Sequence, residues 1–181
     1  LLRPDISILT AVTPEHMEFL KDIETVGKEE SIILRAAKQI ALVSSVDVDK
    51  KFYDGINPNL VTYGGKKDAI RSHIVAWNST GATADFHLED LVLEQQKLHI
   101  ISEPTIRQLS GLLWLAAQLG VSRQGLEQAL PRVTAASSRL SLLPGVKDSM
   151  IIDDTANFSP DAGVVGLQTL KRIPASRRIA L

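Results

Sequence analysis

Between Pro4 and Leu34 a short apolar run gives way, at a Thr-Pro step, to a titratable pair and then to an acidic helical stretch. That order constrains the chain more than any other feature. The run Ile6–Val12 has the length and β-branched content of a strand buried on both faces. Thr13 and Pro14 end it, and Glu15 and His16 follow. His16–Leu20 predicts one helical turn. Asp22 then stands as the N-cap of a longer helix with Ile23, Val26, Ile33 and Ala37 on its inner face. Open α/β sheets take their ligands just past the carboxyl ends of buried strands, so this stretch is a candidate active-site edge.

The rest of the chain repeats the alternation. Ile40–Val46 predicts a second buried strand, Asp47–Tyr53 a helical turn, Gly55–Pro58 a turn, and Leu60–Tyr63 a third strand closed by Gly64 and Gly65. Ile74–Trp77, Ala84–Leu93 and Leu98–Ile101 predict antiparallel strands with turns at Asn78–Gly81 and Glu94–Lys97. Ser102 caps the most regular helix, with Pro104 in its first turn, an apolar stripe of Ile106, Leu109, Leu112, Leu113, Ala116 and Leu119, and Gly120 at its end. Ser122 caps a shorter helix that Pro131 closes. After a Ser/Ala-rich joint at Thr134–Ser138, Leu140–Leu143 and Ser149–Ile152 predict strands, Pro160–Lys171 a helix, and Arg178–Leu181 the start of a strand. The expected fold is α/β: a mainly parallel sheet with a small antiparallel insert over residues 1–137, then a second α/β domain beginning at 138.

Bulk properties narrow the partners. A net charge of -1 gives no electrostatic reason to expect nucleic acid or an anionic membrane. No apolar run reaches the ~18 residues that span a bilayer. The lack of cysteine excludes disulfides and thiolate metal sites and fits a cytoplasmic protein. Leu1 and Leu181 both read as cuts within a longer protein, with N-terminal and C-terminal parts of the same chain expected beyond them.

Two constellations carry chemistry. His16 with neighbouring carboxylates is a workable donor set for a divalent cation, Mg2+ where phosphates supply further oxygens. Helical spacing lets Glu30 turn back toward the same strand end. The plainer alternative is a solvated histidine beside a charged helix. The second is Asp153-Asp154-Thr155-Ala156-Asn157, an acidic strand end followed by a helix whose free N–H groups suit an anion. Its alternative is an ordinary strand-to-helix loop with Asp161 favoured by the helix dipole. Arg139 in the joint is placed either to reach a phosphate or to form a surface ion pair. His73, His87 and His99 lack metal-ligand spacing. There is no G-x-x-x-x-G-K-[ST] loop, no G-x-G-x-x-G after a strand and no nucleophile elbow.

Taken together, PDISILTAVTPEHMEF with DIETVGKEESIIL, and Arg139-Leu140 ahead of IIDDTANFSPDAG, resemble the Mur ligase family over nearly the whole chain. Its pattern is most similar to the branch that adds D-alanyl-D-alanine to a UDP-N-acetylmuramoyl tripeptide. Folylpolyglutamate and cyanophycin-type ligases share the family. The resemblance implies a central ATPase domain over residues 1–137 and the start of a Rossmann-like C-terminal domain over 138–181. It implies ATP and Mg2+ as cofactors. A UDP-muramoyl peptide and an amino acid or dipeptide would be substrates, joined through an acyl phosphate. His16 would be a metal ligand and catalytic residue, and Arg139, Asp154 and Asn157 would face the nucleotide.

Departures from the family pattern are specific. Glu30 stands where the S-x-E-x-[IV]-A-x-x-K helix has its lysine, so it would supply charge and oxygens to the metal on a shorter stem. Ser102–Gln108 replaces G-x-H-N-x-x-N. Ser138 stands for the glycine of G-R-L and Ala156 for the tyrosine of D-D-S-Y-N-A-N-P-D. Ser44 or Ser45 replaces the asparagine that often follows the second strand, and the phosphate-binding loop is expected upstream of Leu1. These departures also fit a non-catalytic relative that keeps the fold as a binding module.

Overall fold

The computed structural model describes residues 3–14, 17–156 and 159–181, with the backbone alone at Met17 and Glu18. Its fold is mixed α/β: a six-stranded sheet in the order β1-β2-β3-β4-β5-β6, parallel from β1 to β4, and a separate two-stranded sheet. The chain divides into two compact units, 1–71 and 72–181.

In the first unit β1 (Ile6–Leu9), β2 (Ile40–Ser44) and β3 (Leu60–Tyr63) run parallel, with Leu9 opposite Val43 and Ser44 opposite Tyr63. A short helix α1 (Met17–Leu20) and the longer α2 (Ile23–Ala36) connect β1 to β2. The Asp22 carboxylate accepts from the Thr25 N–H at 2.7 Å, capping α2 as its sequence predicts. The helix buries Val26, Gly27, Ser31 and Leu34, whereas Ile23 and Ile33 face outward. The rotation is set by packing: the Phe52 ring occupies the place where a Cβ of Gly27 would be, so that face must be bare. The buried Asn57 side chain closes the other end, donating to the Leu34 and Ala37 carbonyls.

Two strands are shorter than expected. β1 stops at Leu9, and Val12 instead donates to the Asp47 carbonyl. β2 stops at Ser44, whose hydroxyl bonds Asp47 and turns the chain. It is β2, not β1, that is fully covered on both faces, with Ala41, Leu42, Val43 and Ser44 at 0% exposure. The predicted turn at 47–53 is a single 3-10 turn, Lys50–Phe52.

β4 (Ile70–Asn78) begins at the end of the first unit, pairing with β3 at Tyr63 and Ile70, and runs into the second. There β5 (Gly81–Leu88) and β6 (Leu91–Leu98) form an antiparallel hairpin. Its turn lies at Glu89-Asp90, with Glu89 at φ 60, rather than at Glu94–Lys97. That predicted turn is a β-bulge inside β6, where Gln95 takes φ 55 and donates to Asp85 at 2.7 Å. His99 is not in a strand and makes an isolated parallel bridge with Thr134.

Helix α3 (Glu103–Gln118) is capped by Ser102, carries Pro104 in its first turn and packs on β5. It buries Ile106, Leu109, Leu113 and Trp114, but Leu112 and Leu119 are exposed. Helix α4 (Arg123–Ala129) is capped by Ser122. The antiparallel pair β7 (Ser141–Pro144) and β8 (Met150–Asp153) precedes α5 (Pro160–Arg172). Leu140, Ile101 and Ile173 form a small core there, with Trp77, Leu142, Ile152 and Val165 packed around it. The strand expected at Arg178–Leu181 is not formed, and the Arg178 guanidinium donates to the Leu170 and Ile173 carbonyls. Among the described residues no helix is long and apolar enough to cross a membrane.

Candidate active site

The carboxyl ends of β1, β2 and β3 share one edge because the three strands are parallel. Asp68, not foreseen from the sequence, organises that edge. It accepts from the Ser45 hydroxyl at 2.5 Å, the Thr62 hydroxyl at 3.1 Å and the Gly65 N–H at 2.9 Å. The signal for it was local: an Asp three residues after a Gly-Gly strand end is turn chemistry. Ser44, at the end of β2, donates to Asp47 at 2.7 Å. Lys66 and Lys67 are exposed in the turn.

Glu30 is exposed on α2, eight residues past the cap and therefore about 12 Å along the helix from it. It is engaged in the folded chain rather than free. His16 lies outside the described residues, so no distance joins the two. Among the described residues no three His, Cys, Asp or Glu side chains converge as a metal site.

In the second unit the structure brings the joint and the acidic loop together. Ser138 takes φ 60 and Leu140 φ 51, a double left-handed bend that presents the joint to the end of β8. The Ser138 hydroxyl donates to Asp153 at 3.0 Å, the Leu140 N–H to Asp154 at 3.2 Å, and the Ala156 N–H to the Ser138 carbonyl at 2.9 Å. Arg139, exposed, is therefore bracketed by two bonds to the Asp pair. Asp154 also lies against α5, where its Oδ2 is 3.3 Å from the position of a Gly166 Cβ. Asn157 lies outside the described residues.

The Asp153 carboxyl is held below the usual carboxylate range, first by the Thr155 hydroxyl and next by that of Ser138. Ser159 caps α5, its hydroxyl accepting from the Ala162 N–H at 3.2 Å. Beside this network lies a cleft of about 360 Å³ lined by His99, Thr134 and Ser141 together with the apolar Leu142, Pro144 and Met150. Sequence reasoning missed both the cleft and the Ser138 contact.

Comparison with known proteins places the fold. Residues 1–105 match the Mur ligase middle domain. No curated protein matches the sequence. MurF from Acinetobacter baumannii is similar in structure, with a TM-score of 0.82 at 17% identity over 94% of this chain and 38% of that one. MurF ligase from Thermotoga maritima in complex with ADP gives 0.74 at 21% identity, over 94% and 40%. Folylpolyglutamate synthase from Thermotoga maritima gives 0.68 at 16% identity, over 94% and 39%. The chain thus spans well under half the length of these enzymes, and at such identities the likeness is one of fold. The middle-domain match covers more than half of the residues, and by it the chain belongs to the Mur ligase family.

Proposed function

We propose that this chain is the catalytic middle of a cytoplasmic, ATP-dependent carbon–nitrogen ligase of peptidoglycan precursor synthesis. In this reading residues 1–137 belong to its central domain and 138–181 begin its C-terminal domain. The observation that carries it is the bracketing of Arg139 by the Asp153 and Asp154 contacts, in a chain of this family. Similarity to a MurF solved with ADP supports a nucleotide as ligand. Bound ATP would supply a phosphoryl group to a substrate carboxylate, leaving ADP and an acyl phosphate; an incoming amine would then attack the acyl carbon, forming the amide and expelling phosphate.

This chain's residues would hold and orient the partners. The Arg139 guanidinium would neutralise phosphate charge, Asp154 and Asn157 would fix the nucleotide, and His16 and Glu30 would be the Mg2+ ligands. The carboxylate substrate would be a UDP-muramoyl peptide and the amine an amino acid or dipeptide, which similarity to MurF favours. The folylpolyglutamate synthase neighbour keeps a glutamate-adding ligase as the alternative substrate class.

The test uses full-length protein with ATP, Mg2+, UDP-N-acetylmuramoyl tripeptide and D-alanyl-D-alanine. Phosphate release that requires both acceptor and dipeptide is expected. Arg139→Ala is expected to lower turnover by about 100-fold with the fold intact, since the side chain is exposed. A second reading, a non-catalytic binding module, draws on Glu30 and on Ser102–Gln108. It predicts ADP binding without phosphate release under any acceptor.

A further inference from the structure

We propose that the Ser138 hydroxyl is a positioning group for the Asp153–Ala156 loop, an inference that rests on reading that loop as the nucleotide site. Ser138 sits at φ 60, where glycine is at ease and an L side chain is strained. The serine therefore gains nothing for the backbone over glycine. What it adds is one oxygen, and that oxygen donates to Asp153 Oδ2 at 3.0 Å.

The other links between joint and loop do not need this side chain. Ala156 N–H to the Ser138 carbonyl, Leu140 N–H to Asp154, and the Ser141 hydroxyl to the Asp153 carbonyl would all survive a glycine at 138. Asp153 Oδ1 is already held inside the loop by the Thr155 N–H and hydroxyl. Among the described residues the Ser138 hydroxyl is thus the side-chain link from the joint to the Asp153 carboxylate. Without it the loop keeps its backbone bonds and Asp154 keeps the Leu140 N–H, but the Asp153 carboxylate loses its anchor to the joint beside Arg139. Nucleotide affinity then falls while the fold holds.

The experiment measures ADP affinity by calorimetry, and the KM for ATP against kcat, in full-length wild type, Ser138→Gly and Ser138→Asn. Glycine relaxes the backbone and removes the donor. Asparagine also tolerates the left-handed region but keeps an N–H donor. Ser138→Gly is expected to keep or raise the Tm yet weaken ADP binding about tenfold and raise the KM for ATP more than it lowers kcat. Ser138→Asn should return to within about threefold of wild type, where a tenfold change corresponds to about 1.4 kcal/mol. Equal ADP affinity in wild type and Ser138→Gly overturns the inference, as does an asparagine variant no better than glycine. Wild type that does not bind ADP at all overturns the nucleotide-site reading itself, and the inference with it.

Discussion

In the first unit Asp68 accepts from Ser45, Thr62 and Gly65 around one strand end, closing a turn on itself. In the second, Asp153 and Asp154 accept from Ser138 and Leu140, residues 15 and 14 positions earlier in the chain. The chemistry is the same, hydroxyl or amide onto carboxylate, but the surroundings differ. β2 is buried on both faces, so its backbone is already fixed and the polar bonds finish its end. β7 and β8 form an isolated two-stranded sheet with Leu143, Met150 and Ile151 substantially exposed. Such a ribbon has little burial to fix it, so side-chain bonds to the joint decide where its acidic end sits. Polar contacts complete geometry where burial is plentiful and determine it where burial is scarce.

The largest effect is expected in the first unit's core. Leu42→Ala removes a fully buried side chain between two parallel neighbours, and a loss of about 3 kcal/mol is expected in urea unfolding. A change below about 1 kcal/mol would mean that β2 is not what fixes this unit. Asp68→Ala is expected to follow at about 2 kcal/mol, since it strands two hydroxyls and an N–H at the strand end. If the loss is only a few tenths, the network is ornamental even as a finish to the strands.

Legibility in the sequence followed the same division. Asp22, Ser102 and Ser122 were readable as helix caps because a cap is local: one side chain and an N–H three residues on. The rotation of α2 was not. Ile32, Ile33 and Leu34 are consecutive apolar residues, and only the Phe52 ring over Gly27 selects Leu34 as the buried one. The β5–β6 turn escaped because Glu89-Asp90 carries neither glycine nor asparagine; pairing of Leu88 with Leu91 sets it. The acidic strand end at Asp153 was visible as a motif, but its partner Ser138 is a tertiary contact with no periodic signature. Ser138 could be noticed only as a departure from glycine.

The smallest effect sharpens the contrast by its pH dependence. Thr155 and Ser138 lower the Asp153 pKa in the folded chain. A carboxylate depressed on folding stabilises at pH above its unfolded value, and that contribution is lost as pH falls through the folded one. A double variant, Ser138→Gly with Thr155→Ala, returns Asp153 toward its ordinary titration. Its stability deficit against wild type should therefore be full at about pH 7 and shrink as the pH falls through the acid range to about 2.5. Both tryptophans, Trp77 and Trp114, lie in the second unit, so tryptophan fluorescence reads that unit, while Tyr53 and Tyr63 lie in the first. A deficit that is the same at both ends of the range would show that these hydroxyls act on the fold through packing and backbone alone. The Asp153 carboxylate would then be a bystander, and the two units would no longer differ in what their acidic strand ends do.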